Sequence, residues 1–184
     1  MKRVLENDFL KVTIDDHGAE LVSIYDKEKD REVIWQGDPK FWGRHAPVLF
    51  PNVGKHYGNH YRIGDQEYAS KQHGFARDTD FTCIDSTPDS VTHQIRSTEE
   101  TKKVYPFDFV LRIRHILKRR TLTVNWKVAN NSNGDMYFIR RLMCRFCQVP
   151  REVTIVSLST ARTALHTFFL TQRAAQPKLT KRPH

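Results

Sequence analysis

The stretch 107–130, FDFVLRIRHILKRRTLTVNWKVAN, constrains the fold more than any other part of the chain. Phe107, Phe109, Leu111 and Ile113 fall on alternate positions, and Leu122, Val124, Trp126 and Val128 repeat that spacing after LKRR. A period of two puts each set on one face of an extended segment, so the stretch predicts a long antiparallel hairpin with an apolar face. Such a face has to be covered by another layer. No stretch before residue 138 shows the spacing of an amphipathic helix, so the expected fold class is all-β, a sandwich.

The rest of the first 138 residues reads the same way. Residues 1–35 alternate short apolar runs with turn residues, FLKVTI, DDHG, AELVSIYD, KEKDRE and VIW, which predicts a three-stranded meander. Pro47 and Pro51 bracket VLF, which excludes a long central strand there and predicts a loop packed on the sheet. Residues 57–70 predict two short strands joined at Gly64 and Asp65, with an irregular crossing through QHGFARDTDF. Thr87, Pro88 and Asp89 supply turn chemistry between two further strands.

Composition sets the wider limits. A chain of 184 residues, 39% hydrophobic and 28% charged, suffices for one domain that buries about 70% of its unfolded surface. No run reaches the roughly 20 apolar residues of a membrane span, and MKRVLENDFL lacks a signal peptide's apolar stretch. Cys83, Cys144 and Cys147 do not form a disulfide framework, so the expected compartment is the cytoplasm.

The net charge of +9 is unevenly placed. From Ile139 onward there are nine lysines and arginines against Glu152 alone, whereas residues 1–138 carry 21 against 20 acidic residues. Two segments are therefore expected: residues 1–138 as the β domain, and residues 139–184 as a divergent basic tail, frameshifted or poorly ordered. Within the tail, VTIVSLS reads as a strand, residues 160–172 as a short helix or strand, and residues 176–184 as a frayed end.

Candidate chemistry concentrates in residues 44–77. Histidines at 45, 56, 60 and 73 are acid/base or ligand candidates, because imidazole titrates near neutral pH. Their spacing is not that of a metal site: His56 and His60 lie four apart around Gly58, which argues against a shared helical face. His73 precedes Gly74, where another chain segment or a ligand can approach closely, and Arg44 and Arg77 are candidate fixed donors beside it. Cys144 and Cys147 have C-x-x-C spacing without a second ligand pair and read as ordinary thiols. Lys118, Arg119 and Arg120 read as a solvated hairpin tip rather than a nucleic-acid contact. The expectation is therefore no metal, no cofactor, no nucleic acid and no membrane; the residues leave the oligomeric state open.

Several ordered motifs carry a resemblance. GAELVS at 18–23, RHAPVLFP at 44–51, QHGFARD at 72–78, YPFDF at 105–109 and VANN at 128–131 resemble the galactose mutarotase-like aldose 1-epimerases, in particular their LacX-like branch. The resemblance covers residues 1–138. It implies a β-sandwich of the mutarotase type, incomplete at its C-terminal side, acting on an aldose such as galactose or glucose without a cofactor. Such chemistry opens and recloses the sugar ring between a histidine acid and a glutamate base.

Carried over residue by residue, the resemblance makes His73 the sugar-binding histidine and puts Lys55 where the family has a substrate arginine. The proposed substrate-binding set is His73, Arg44, Lys55 and Arg77. No catalytic residue is assigned. Met136, Tyr137 and Phe138 are followed by Ile139 and Arg140 rather than by the family's histidine motif, and Glu152 stands too early to be its base. The expectation is an aldose 1-epimerase-like protein with weak or absent mutarotation; the alternative is a non-catalytic carbohydrate-binding module or an inactive truncated remnant.

Overall fold

The computed structural model describes residues 1–144 in full and the backbone of residues 154–161. The first sheet is built from β1 (Lys2–Glu6), β2 (Leu10–Asp15), β3 (Glu20–Asp26) and β4 (Arg31–Glu32) in the antiparallel order β1-β2-β3-β4. The expected three-stranded meander is thus a four-stranded sheet. Two details separate the expectation from the structure. KRVLE pairs as an edge strand on β2, and Val33 to Trp35 yield to the two-residue β4.

β5 (Val48–Leu49) is the short fully buried run between Pro47 and Pro51. β6 (His60–Ile63) and β7 (Gln66–Ala69) form the expected hairpin around Gly64 and Asp65. β8 (Thr82–Ser86) and β9 (Ser90–Arg96) follow, turned by residues 87–89, where the Thr87 hydroxyl accepts the Ser90 N–H at 3.0 Å. Between β9 and the long hairpin stands a six-residue helix, α1 (Glu99–Val104). It was not legible as an amphipathic helix because it buries no residue; a reciprocal Thr98–Thr101 cap and Glu99 and Glu100 in its first turn hold it instead.

β10 (Phe109–Lys118) and β11 (Thr121–Asn130) form the long hairpin, in register from Phe109 opposite Asn130 to Lys118 opposite Thr121. The predicted alternation is observed: Phe109, Leu111 and Ile113 on β10 and Leu122, Val124, Trp126 and Val128 on β11 are all buried. Each such aliphatic side chain contributes roughly 1.5–3 kcal/mol when withdrawn from water. β12 (Arg141–Leu142) pairs antiparallel with β5, and β13 (Thr154–Ala161) lies parallel to β11. The larger sheet therefore has the order β13-β11-β10-β9-β8.

One apolar core joins the two sheets: Leu10, Val12, Ile14, Leu21 and Ile24 from the smaller pack with Val91, Leu111, Ile113, Val124 and Trp126 from the larger. Polar ties reinforce the seam. Arg3 holds Asp16 through two hydrogen bonds of 3.0 and 2.9 Å, and the buried His93 meets the same carboxylate at 3.0 Å. Arg120, read as part of a solvated tip, instead pairs with the fully buried Asp26 and with Glu28 at the β3 end. The hairpin tip is folded back because Asp26, accepting only the Glu28 and Lys29 amides locally, keeps an oxygen for a cation.

The chain runs on past residue 138 against residues 47–51. Ile139 N–H donates to the Pro51 carbonyl at 2.8 Å and Met143 N–H to the Pro47 carbonyl at 3.2 Å. Residues 162–184, with the readings made on them, lie outside the described residues, as do Cys147 and Glu152. No helix among the described residues is long and apolar enough to cross a membrane.

Candidate functional site

The site is organised by Gly74. It sits at φ +72°, and a Cβ there would collide with the Phe50 carbonyl and the Pro51 ring, so only glycine lets the two segments meet. The Phe50 carbonyl oxygen accepts the N–H groups of both Phe75 and Ala76, at 3.0 and 3.2 Å. The close approach read from the sequence at Gly74 is therefore made by the protein's own 44–51 segment, which fixes QHGF against RHAPVLFP.

His73 is fixed by the same turn. Its backbone is at φ 68°, its N–H donates to the Gly54 carbonyl at 2.8 Å, and its Nδ1 accepts the Gly54 N–H at 2.9 Å. A ring nitrogen that accepts carries no proton, so the neutral imidazole has its proton on Nε2. Burial first, and the Arg77 charge second, push the pKa of His73 down, which keeps the ring neutral at pH 7. Gln72 lies 3.3 Å from Nε2 through its amide, which must turn its oxygen to the ring to accept that proton. His73 is thus a half-buried hydrogen-bond donor of set tautomer. It is not arranged to shuttle protons, because its second nitrogen is already occupied.

Lys55 follows Gly54 directly, is exposed, and has no hydrogen-bond or ion-pair partner among the described residues. Asn52 braces this corner, its Nδ2 donating to the carbonyls of Gly54 at 3.2 Å and Lys71 at 3.3 Å. Arg77 is half-buried, with Nε 3.4 Å from Asp78.

Arg44 is placed differently. Its guanidinium donates to the Arg77 carbonyl at 3.1 Å and to Asp78, and lies 3.9 Å from Glu20. Glu20, 7% exposed, accepts the N–H groups of His45 and Ala46 at 2.7 and 3.0 Å. Arg44 is therefore a clip between GAELVS, RHAPVLFP and QHGFARD, the first and last of which meet again where Gly18 packs on the Arg77 carbonyl. Gly54, Gln72, Glu20 and Asp78 were not legible as site residues; the turn composition of PNVG was the one signal available for Gly54, which the structure places at φ +85°.

The other histidines are dispersed. His56 Nδ1 is 2.7 Å from Ser70 Oγ, His60 Nδ1 is 3.1 Å from the Gly58 carbonyl, and the His45 ring packs on Gly37. No group of three or more His, Cys, Asp or Glu among the described residues is placed to hold a metal. The Cys144 thiol is pushed up to about 12 by burial, which makes it a poor ligand or nucleophile. Where the expected histidine motif would continue, Arg140 stands 5.5 Å over the Trp126 ring.

Comparison with known proteins places this geometry. The family model described as aldose 1-epimerase matches residues 1–139. The chain is 33% identical over 131 residues to the chromosomal LacX protein of Lactococcus lactis subsp. lactis, covering 68% of this chain and 44% of that protein. Among solved structures, it is similar to a galactose mutarotase related enzyme from Lactobacillus acidophilus, with 43% identity, a TM-score of 0.73, and coverage of 75% of this chain and 46% of that one. A galactose mutarotase-like protein from Lactobacillus casei gives 38% identity and a TM-score of 0.74, over 76% of this chain and 48% of that one. The chain thus spans a little under half the length of these relatives. By its sequence, its fold and the ordered motifs around His73, the chain belongs to the aldose 1-epimerase family.

Proposed function

We propose that this protein binds an aldohexose such as galactose or glucose at the His73 corner and catalyses mutarotation weakly or not at all. The observation that carries the reading is the Gly54–His73 clamp, which presents an Nε2 donor of set tautomer at the turn that carries Lys55, an exposed lysine without a partner among the described residues. A neutral imidazole N–H and a lysine on the same turn suit hydroxyl-rich ligands, since both groups donate hydrogen bonds to ligand oxygens. Arg77 borders the same corner, while Arg44 acts as the clip that positions it.

The chemistry of anomer exchange needs a proton delivered to the ring oxygen and one removed from the anomeric hydroxyl. His73 cannot give up its Nε2 proton, because Nδ1 is already an acceptor and the ring would be left anionic. An aldose 1-epimerase-like protein of weak or absent activity is the reading this supports, with a non-catalytic carbohydrate binder as the alternative.

Freshly dissolved α-galactose and α-glucose, followed by polarimetry with purified protein, should relax at the buffer rate. Titration with the same sugars should change tryptophan fluorescence, and His73→Ala should abolish the change. Relaxation well above buffer that disappears in His73→Ala would overturn the non-catalytic reading; no sugar response in either protein would overturn sugar binding.

A further inference from the structure

The near-neutral charge of residues 1–138 conceals a one-sided sheet face. Phe109, Leu111, Ile113, His115 and Leu117 of β10 enter the core, which leaves the exposed Arg114, the half-buried Arg112 and Ile116 and the buried Val110 on the opposite face, with Ser90 and Thr92 of β9 buried between the cations. Register sets Arg112 opposite Lys127 on one side and Gln94 on the other, Arg114 opposite Thr92, and Val110 opposite Arg96. Arg96, Arg112, Arg114 and Lys127 therefore share one face of three adjacent strands. Opposed residues stand about 5 Å apart at Cβ, and alternate residues along a strand about 7 Å apart, so these like charges repel.

The protein does little to relieve that repulsion. Arg112 Nε donates to Gln94 Oε1 at 2.7 Å and Arg114 Nη2 to Ser90 Oγ at 3.1 Å, both neutral partners. Arg3, Arg44, Arg62, Arg120, Lys27, Lys102 and Lys103 all reach carboxylates, but none of the four cations on this face does so among the described residues. Asp85, opposite Thr92, stands at the β8 margin. β13, bordering the face, reads TIVSLSTA and brings no charge, and residues 162–184 contain five cations and no acidic residue.

We propose that this face docks an extended acidic segment of a partner protein. Alternate side chains of an extended peptide repeat at about 7 Å, the spacing of Arg112 and Arg114, and backbone-paired strands hold the cations in that repeat. The face displays no aromatic ring at positions 90, 92, 94, 96, 110, 112, 114, 116, 123, 125, 127 or 129, so it lacks the stacking platform that single-stranded nucleic acid uses. It lies on the far side of the sheet from the core and shares no residue with the His73 corner.

The test is fluorescence anisotropy with a labelled twelve-residue peptide alternating glutamate and serine. A lysine–serine peptide and a thymidine oligonucleotide of the same length serve as comparison probes. The glutamate peptide is expected to bind, to weaken with added salt, and to lose roughly five- to tenfold in affinity in Arg112→Gln/Lys127→Gln. The Lys2→Gln/Lys11→Gln protein, changed on the other sheet, should bind as the parent does, and circular dichroism should show both variants folded. Equal loss in both variants, tighter binding of the oligonucleotide, or no binding of the glutamate peptide would each overturn the proposal. Light scattering that shows the face closed by self-association, relieved in Arg112→Gln/Lys127→Gln, would also overturn it.

Discussion

Gly74 is the residue on which the site depends most directly. Its positive φ and the Phe50 carbonyl packed against its Cα leave no room for a side chain. Gly74→Ala is expected to cost on the order of 3 kcal/mol, combining left-handed backbone strain with the displaced 44–51 segment, as read from the urea midpoint. A loss below about 1 kcal/mol would show that the turn relaxes easily. The motif QHGF made both His73 and Gly74 legible, since glycine admits the close approach of another segment that a Cβ would block. What the motif did not contain is the tautomer of His73. That is decided by the Gly54 N–H, nineteen residues away in sequence, which occupies Nδ1. Arg44 shows the same limit: its sequence context marks a cation near the site, and only packing assigns its donors to Asp78 and the Arg77 carbonyl.

Among the elements, the β10–β11 hairpin was the most legible because alternation is a local property of the chain. Its tip was not, since LKRR at a turn has the composition of a solvated loop, and the buried carboxylate that captures Arg120 belongs to β3. Arg120→Ala leaves Asp26, 0% exposed, with only two backbone donors, and should destabilise the protein by about 3 kcal/mol in denaturant titration. Arg120→Ala/Asp26→Asn should recover part of that loss, because no charge is then left buried. Recovery of nothing would show that Arg120 acts through its contact with the Phe9 ring, 5.9 Å away, rather than through Asp26. α1 was missed for the complementary reason. Its stability lies in caps and terminal charges rather than in an apolar stripe, so the helical periodicity sought in the sequence was never present.

The whole molecule is held by a core that includes two histidines. His115 is fully buried with neither ring nitrogen hydrogen-bonded, and burial pushes its pKa down to about 3; His93 is also pushed down by burial, against the opposing pull of Asp16. The unfolded chain binds protons at these rings near pH 6.5 and the folded chain does not. The stability they allow is therefore complete above about pH 6.5 and is lost as pH falls toward the folded values. Asp16, held down at about 2 chiefly by its hydrogen bond from Arg3, adds a second loss below about pH 4. Urea midpoints should fall between pH 7 and pH 5, on the order of 1 kcal/mol per pH unit for His115. His115→Leu should flatten that slope, and an unchanged slope would assign the acid sensitivity elsewhere. By itself the sequence determined the strand-rich class, the long hairpin and the turn glycines, because alternation and turn chemistry act between neighbouring residues. Only the tertiary structure decided which carboxylate meets which cation, which imidazoles are buried, and which sheet face keeps its charges unpaired among the described residues. Those outcomes depend on contacts between residues distant in the chain, whose energies exist only once the two sheets have closed on one another.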